Sequence, residues 1–391
     1  MPKVNPKIII WARESLGLTI AEAAKKIGLS DPSRLQEIEA GEREPTRRQL
    51  VNMSEKYKRP LLTFYLAEKP AKSEVGQDFR TLTTSEPQTS EVYLQALLRD
   101  IYARQGLVKS ALEDTEEDEI LSFVGSANIK EGHVAVAEII RKTLDFEVED
   151  YRRQRTAIEA FGFLRKAVED KGIFVLLAGN LGNHYTSIDV NLFRGFALAD
   201  PVAPFIVINE NDSRAAWSFT LLHELTHIFL GETGISGYNS EAAVEKFCDS
   251  VAAAFLLNPD EFTNFSNGAK TLETWAEQIS FFANERNLSR KMVAYNLLRS
   301  GIITPTTYQH LNNVFDTERL AEKKAGKAKG TSAPSYYVVK KHRIGNGLVN
   351  IVGRMVSEGA LSTTKAGKVL GVKPTSVARL ISNDSARRGI I

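Results

Sequence analysis

The segment 221–230 (LLHELTHIFL) constrains the fold more than any other part of the chain, because it places charged groups inside an apolar helical pattern. It contains His223 and His227, four residues apart, and Glu224 directly after the first histidine. Residues i and i+4 share one face of a helix, so the two imidazoles can bind one metal ion together. Such side chains are costly to bury unless they are paired or bind a metal. The pattern therefore predicts a metal-binding helix, with Glu224 rotated off the ligand face and placed to act as general base.

A second amphipathic helical pattern, at residues 240–257, offers a third ligand. Glu241, Glu245 and Asp249 follow one another at intervals of four residues, so they fall on nearby faces of that helix. Adjacent carboxylates repel each other, and a cation between the helices would relieve the repulsion. The alternative is an ordinary solvated acidic face. We select Glu245 as the ligand and Asp249 as a carboxylate that orients one of the histidines.

These two stretches resemble the ImmA/IrrE metallopeptidases, which are zinc-dependent endopeptidases of the HExxH type that cleave repressor proteins. The resemblance rests on residues 219–227 (FTLLHELTH), on Asn209 shortly before them, and on residues 245–259 (EKFCDSVAAAFLLNP). The family usually has Ala-Asn where this chain has Cys248 and Asp249. Neither substitution removes a ligand or the base.

The resemblance implies that His223, His227 and Glu245 bind the metal and that Glu224 activates water. It also implies a zincin-like fold for the peptidase part, which covers roughly residues 170–300. Two imidazoles and a carboxylate suit both zinc and manganese. Because the resembling family is zinc-dependent, Zn²⁺ is the expected cofactor and Mn²⁺ is the alternative.

Composition limits the class of protein. With 391 residues, the chain is long enough for two or three domains, and its 43% hydrophobic and 25% charged residues are those of an ordinary soluble protein. A single cysteine excludes an internal disulfide and fits a reducing compartment. No apolar run resembles a signal peptide or reaches the roughly 18 residues of a spanning helix. We therefore expect a cytoplasmic protein with no membrane partner.

The N-terminal residues show a helix, a glycine turn and a second helix. Residues 19–28 begin with Thr19 and Glu22 at the spacing of a capping box and end at Gly28, and residues 33–41 give the second helix. Further short helical patterns reach residue 66 and complete a small all-α bundle. The arrangement is typical of a helix-turn-helix.

This region resembles the Cro/lambda-repressor type of helix-turn-helix domain, through residues 19–24 (TIAEAA), 35–41 (LQEIEAG) and 44–45 (EP). The resemblance implies that the second helix enters the major groove of DNA, where arginine and glutamine can read base edges and further arginines can contact phosphates. The residues expected to contact bases are Ser33, Arg34 and Gln36, and those expected to contact phosphates are Arg43, Arg47 and Arg48. Glutamates crowd the same region and weaken its basic character, so a protein-docking module of the same fold is the alternative.

The remaining patterns define the order of the domains. Apolar runs at 172–177, 190–198 and 205–209 predict three strands before the metal-binding helix, which indicates an α+β arrangement. We expect a multidomain protein: an all-α helix-turn-helix domain, a mainly helical α+β zincin-like peptidase domain, and a basic helical C-terminal region. The predicted segments are a helix-turn-helix domain at 1–68, a linker at 69–90, a helical connecting region at 91–170, the metallopeptidase domain at 171–315 and the basic region at 316–391.

The C-terminal segment concentrates positive charge. Residues 318–391 contain 15 Lys and Arg against 4 Asp and Glu, whereas the whole chain has a net charge of +2. Residues 361–381 again have the form helix, glycine turn, helix. This segment is either a second nucleic-acid contact or a helical lid or interaction segment, and the sequence does not separate these readings.

Two hypotheses follow for function. The first is a zinc endopeptidase with a DNA-binding module, which cleaves a repressor-type protein and acts in transcriptional, stress or mobile-element regulation. The second is a DNA-binding regulator or antitoxin-like protein with a latent or structural metal site. Glu224 favours the first hypothesis, because a purely structural site has no need of a base. Readers of the helix-turn-helix type commonly form dimers, so a homodimer is one option for the assembly.

Overall fold

The computed structural model of the chain describes most of its residues, in two compact units. The described residues are 3–70, 89–182, 184–235, 242–258, 260–262, 265, 271–328 and 335–382. Those within 1–100 and 180–192 form one unit, and those within 101–179 and 193–391 form the other. Residues 71–88 of the predicted linker, Glu241 of the acidic series and residues 383–391 of the basic region lie outside the described residues.

The first unit is built from short helices with well-formed ends. The helices are α1 (Pro6–Glu14), α2 (Ile20–Ile27), α3 (Ser33–Ala40) and α4 (Arg47–Lys56), followed by a 3₁₀ helix at Leu61–Tyr65. The predicted capping box at Thr19 and Glu22 is confirmed. Gly28 and Gly41 end α2 and α3 with φ of 83° and 77°, a conformation that glycine adopts without a steric penalty.

A compact apolar core and one buried ion pair hold α1 and α3 together. Ile8, Leu35 and Phe64 are fully buried in this core. The Arg13 guanidinium donates to both carboxylate oxygens of Glu39, at 2.7 and 2.9 Å, and this two-point contact fixes α1 against the helix expected to read DNA.

The second unit contains a small sheet and a helical remainder. Helix α5 (Thr89–Asp114) belongs partly to the first unit and partly to the second, and a 3₁₀ turn at His184–Thr186 belongs to the first. The second unit also has a 3₁₀ turn at Ile129–Glu131. Its other helices are α6 (His133–Leu144), α7 (Val148–Arg152), α8 (Ala157–Glu169), α9 (Trp217–Leu230), α10 (Ala242–Leu256), α11 (Leu272–Glu285), α12 (Arg290–Arg299), α13 (Pro305–Ala328), α14 (Tyr336–Ile344), α15 (Asn346–Ser357), α16 (Thr363–Leu370) and α17 (Pro374–Ile381). The strands are β1 (Phe174–Leu177), β2 (Gly195–Leu198), β3 (Phe205–Ile208) and β4 (Gly234–Ile235). The predicted fold class, helical N-terminal region followed by a mainly helical α+β domain, is confirmed.

The sheet is mixed and has the strand order β1-β3-β2-β4. β1 pairs with β3 in parallel, with Phe174 opposite Phe205, and β2 pairs with β3 in the antiparallel sense, with Gly195 opposite Ile208. The three strands predicted before helix α9 are therefore present. β4, which follows that helix and pairs with the other side of β2, was not predicted, because two residues carry no strand period.

Helix α9 lies in the core of this unit, and a neighbouring loop holds its C-terminal end. Twelve of its fourteen residues are buried, which accounts for its nearly continuous apolar sequence. Asn211, Asp212 and Ser213 precede this helix without capping it, because it begins at Trp217 with no side-chain cap. The last carbonyls of α9 accept hydrogen bonds from the loop 125–127, where Gly125 N donates to Ile228 O at 3.0 Å.

Helix α10 packs against α9 and α6, and arginines from neighbouring helices cap its C-terminus. Arg141 Nε donates to Phe255 O at 3.2 Å, and Arg152 Nη2 donates to Leu256 O at 2.9 Å. Cations near the final carbonyls of a helix also interact favourably with its dipole. These contacts fix α10, and therefore the side chains on its first turns, relative to α9. Among the residues that the structure describes, no helix is both long and apolar enough to cross a bilayer.

Candidate metal centre

The two histidines of α9 and the glutamate of α10 meet at one point. His223 Nε2 and His227 Nε2 are 3.3 Å apart, and both side chains are buried. Glu245 Oε2 lies 3.3 Å from His223 Nε2, and Glu245 Oε1 lies 3.4 Å from His227 Nε2. Three donor groups of the kinds that bind zinc therefore converge, although they come from two helices and are separated by up to 22 positions in the chain.

The spacing of these donors fits a tetrahedral metal ion. Ligands about 2.0–2.1 Å from a zinc ion in tetrahedral geometry lie roughly 3.3–3.4 Å from one another. The separations of 3.3, 3.3 and 3.4 Å are close to that value, with Glu245 Oε2 facing His223 and Glu245 Oε1 facing His227. Three ligands occupy three vertices of a tetrahedron, which is the coordination of catalytic zinc sites with one position for water or substrate.

Carboxylates also contact the outer nitrogens of both imidazoles. His223 Nδ1 is 2.9 Å from Asp249 Oδ1, the residue predicted to orient a histidine. His227 Nδ1 is 3.4 Å from Glu232 Oε2. The Asp249 contact favours the tautomer of His223 whose Nε2 lone pair is available to a metal, whereas the longer Glu232 contact is an ion-pair distance at which His227 Nδ1 makes no hydrogen bond. Glu232 was not predicted, and its only signal in the sequence is an acidic residue directly after the glycine that ends α9.

The electrostatics of the site favour a cation. Burial lowers the pKa of His223, but hydrogen bonds to the carboxylates of Asp249 and Glu245 outweigh it and raise that pKa to about 10. Burial likewise lowers the pKa of His227, whereas Cys248, Glu232 and Glu245 together raise it to about 12. Both imidazoles lie in a field that stabilises positive charge, and a divalent ion supplies such charge.

Glu224 lies on a different face of α9, against strand β2. Its side chain is completely buried, and a β-carbon built on Gly195 would lie 2.6 Å from Glu224 Oε1. The same hypothetical atom would lie 2.7 Å from Thr220 Cγ2. Glycine at position 195 is therefore what allows β2 to approach the carboxylate so closely, a contact that the sequence pattern did not reveal.

Cys248 is a further donor that the sequence reasoning did not assign. It lies three residues after Glu245 on α10 and is fully buried. Its Sγ and a ring nitrogen from each of His223 and His227 lie within 4.8 Å of one another. Because thiolates bind zinc well, Cys248 is a competing donor at this centre. Its signal in the sequence was the departure from the alanine that the ImmA/IrrE family usually has there.

The residues expected to contact DNA lie at the exposed side of the first unit. Ser33, Arg34 and Gln36 are exposed on α3, whose buried face carries Leu35 and Ile38. Ser33 also donates to Asp31 Oδ2 at 2.6 Å and so helps to begin the helix.

The three arginines expected to contact phosphates, Arg43, Arg47 and Arg48, are also exposed. Arg43 forms an ion pair with Glu37 at 3.0 Å, which offsets part of its charge. Arg47 and Arg48 are the first two residues of α4.

Comparison with known families gives one match in the N-terminal region and one in the region of the candidate metal centre. Residues 175–298 match the M78 peptidase family model, described as the IrrE N-terminal-like domain, and residues 9–64 match the helix-turn-helix family model. Comparison with curated proteins and with solved structures gave no match.

The class that fold and site define is a peptidase-type α+β domain combined with a helix-turn-helix of the DNA-binding type. More specifically, the matched residues correspond to a helix-turn-helix region of the Cro/lambda type followed by a peptidase region of the ImmA/IrrE type, in the order that the sequence predicted.

Proposed function

We propose that this protein is a zinc-dependent endopeptidase of the ImmA/IrrE type that acts in the cytoplasm on a repressor-type protein. The observation that carries the proposal is the convergence of His223 Nε2, His227 Nε2 and the two carboxylate oxygens of Glu245, at separations of 3.3 to 3.4 Å that suit one tetrahedral ion. The adjacent Glu224 supports a catalytic rather than a structural role, because a structural site needs no buried carboxylate next to its ligands.

The chain's own residues would divide the work of peptide hydrolysis. His223, His227 and Glu245 would hold the ion, and when bound a zinc ion polarises the substrate carbonyl and makes water a stronger nucleophile. Glu224 would accept the proton of the attacking water at a carboxylate oxygen and deliver it to the departing amine nitrogen. Asp249 would keep the His223 ring in the productive orientation through its contact at Nδ1.

The first unit would place this activity at DNA. Exposed Ser33, Arg34 and Gln36 on α3 would contact base edges, and Arg43, Arg47 and Arg48 would contact phosphates. A substrate that is itself a DNA-bound repressor would then be cleaved where it acts. Homodimer formation would match a two-fold symmetric operator.

One observation favours a second function. The sulfur of Cys248 lies close to both imidazoles, and a Cys-His₂ donor set with Glu245 would close the coordination sphere of zinc. A closed site is structural, and in that case the protein would be a DNA-binding regulator or antitoxin-like protein without peptidase activity.

The metal content of the purified full-length protein tests the site. We expect about one zinc ion per chain in the wild type and in Glu224→Gln, and little in Glu245→Ala, because only the last substitution removes a ligand. Manganese is measured in the same samples. Wild-type protein that holds no metal after zinc is supplied would contradict the proposal.

Catalysis is tested separately, by labelling new N-termini that appear in a cell extract after incubation with the protein. Wild type should create cleavage products that Glu224→Gln does not create, although both hold the same amount of metal. Identical products from the two proteins would refute the role of Glu224. If both hold zinc and neither cleaves, the regulator function is supported instead.

A further inference from the structure

Helices α16 and α17 repeat the geometry of α2 and α3. Each pair consists of two eight-residue helices. The first helix of each pair begins at a hydroxyl side chain, Thr19 or Ser362, which accepts a hydrogen bond from the backbone N–H three residues later. Each first helix ends at a left-handed glycine, Gly28 with φ of 83° or Gly371 with φ of 61°.

The turn that follows begins in the same way in both pairs, although it spans residues 28–32 in the first pair and the shorter range 371–373 in the second. Leu29 N donates to Ala24 O, and Val372 N donates to Gly367 O, both at 2.8 Å. A β-carbon on Gly367 would lie 2.9 Å from Val372 O and 3.2 Å from Pro374 N, so the second helix starts directly against the first. In both pairs a small residue lies four positions before the glycine of the turn: Ala24 in the first pair and Gly367 in the second. The close approach of the two helices at this residue makes α16 and α17 a helix-turn-helix by geometry.

A third helix supports the pair and determines which face of α17 is exposed. Val377 and Leu380 are buried, and Ile381 packs so closely on α15 that a β-carbon on Gly353 would lie 2.7 Å from its Cγ2. The opposite face exposes Thr375 and Arg379, which are four residues apart. A helix-turn-helix whose second helix is exposed, within a unit of three helices, is the arrangement that enters the major groove of DNA.

The surface of α16 and α17 carries a charge that suits a polyanion better than the charge of the N-terminal helix-turn-helix. Residues 362–382 contain four Lys and Arg and no Asp or Glu, whereas residues 33–48 contain four of each kind. All four basic residues of the C-terminal pair are exposed: Lys365, Lys368, Lys373 and Arg379. The guanidinium of Arg379 is stacked 4.5 Å from the ring centre of Tyr337, which holds this side chain in place before it meets a ligand.

We propose that α16 and α17 form a second DNA-binding site, with α17 in the major groove of double-stranded DNA. Thr375 and Arg379 face the base edges, and Lys365, Lys368 and Lys373 contact phosphates. The chain then carries a DNA reader at each end of its peptidase region. Binding at one reader raises the effective concentration of DNA at the other.

The first test measures the binding of random-sequence DNA duplexes to the full-length protein by fluorescence anisotropy. All variants are made on an Arg34→Ala, Gln36→Ala background, which weakens the N-terminal reader. On that background, Lys368→Gln with Arg379→Gln should lower the affinity by about tenfold and reduce the slope of log affinity against log salt by roughly 1 to 2. The matched control is Lys130→Gln with Lys142→Gln, which removes two exposed lysines of the same unit and should change neither quantity.

An unchanged affinity in the Lys368 and Arg379 variant would overturn the proposal. Stronger competition by single-stranded RNA than by duplex DNA would overturn it as well, because a helix in a major groove requires a B-form duplex. The outcome is independent of the metal site, so a failure here leaves the proposed peptidase function intact.

A second measurement locates the contact directly. The chain's single cysteine, Cys248, is fully buried, so a cysteine placed on the surface can be labelled selectively. Thr375→Cys carrying a photo-crosslinker should attach to duplex DNA, whereas Lys142→Cys carrying the same group should not. Equal attachment from both positions would show that the DNA does not lie on α17.

Discussion

Substitution of Gly195 by alanine tests the close approach of β2 to the proposed general base. The added methyl carbon would lie 2.6 Å from Glu224 Oε1 and 2.7 Å from Thr220 Cγ2, whereas ordinary contact begins at 3.4 Å. The strand and the helix must therefore separate by 0.7 to 0.8 Å, or the carboxylate must turn away. Both Glu224 and Thr220 are buried, so neither side chain has space for a free rotation.

Overpacking of this size costs about 1–3 kcal/mol of folding free energy. The effect on activity should be larger, because a displacement of about 1 Å in a reacting group can lower the rate by about 10²-fold. The three atoms nearest to the added carbon belong to Glu224 and Thr220, so the metal content should stay at the wild-type level.

The matched control is Gly234→Ala on β4 of the same sheet, where an added methyl carbon meets no atom within 4 Å. Unfolding by denaturant is compared in excess chelator, so that metal binding does not contribute to the difference. We expect Gly234→Ala to change the unfolding free energy by less than about 1 kcal/mol. If Gly195→Ala behaves like this control and still cleaves substrate, then β2 does not restrain Glu224 and the reasoning is refuted.

Three further predictions concern the same unit. Glu245→Ala should weaken zinc binding by more than about 100-fold in a chelator competition, whereas Cys248→Ala should leave it unchanged; equal losses would show that the thiol binds the ion. Arg165→Met should cost about 3–5 kcal/mol because it leaves the buried carboxylate of Glu169 without its ion pair, and adding Glu169→Met should restore the part of this loss that comes from the unpaired charge. A double variant as unstable as the single one would contradict that account. Burial, reinforced by neighbouring arginines, lowers the pKa of His342 in the folded protein below its ordinary value of 6.5. The stability that neutral His342 allows is therefore fully present above pH 6.5 and is lost as the pH falls toward the lowered pKa, because the unfolded chain then binds the proton more readily. Wild type should therefore lose more stability than His342→Gln between neutral and mildly acidic pH, and parallel curves would contradict this.

The proposed ligand set could be read from the sequence because its geometry is mostly local. Residues four apart on a helix share a face whatever surrounds them, so His223 and His227 could be paired without a structure. Glu245 was selected among three acidic residues on a second helix, and its carboxylate lies beside both imidazoles. The capping box of α2 is equally local and was equally predictable.

Other features of the site depend on segments that meet only in the folded chain. The approach of Gly195 to Glu224, the contact of Glu232 with His227 and the position of Cys248 beside the imidazoles leave no periodic trace in the sequence. The start of α9 also depends on tertiary contacts, because the polar residues before it have other partners: Asn211 Nδ2, for example, donates to Gly179 O at 2.8 Å. A capping preference is weak enough for such tertiary contacts to override it.

The C-terminal segment shows most clearly how the two kinds of information divide. The sequence by itself determined that residues 361–381 form helix, glycine turn and helix, because caps and turns are set by neighbouring residues. It left open whether this segment is a DNA reader or a lid, since both need the same local pattern. The tertiary structure decided which side of α17 packs on α15 and which side stays exposed with its basic residues. The physical reason is that burial is a property of the packed chain, and the chemistry of a surface is defined by what packing leaves in contact with water.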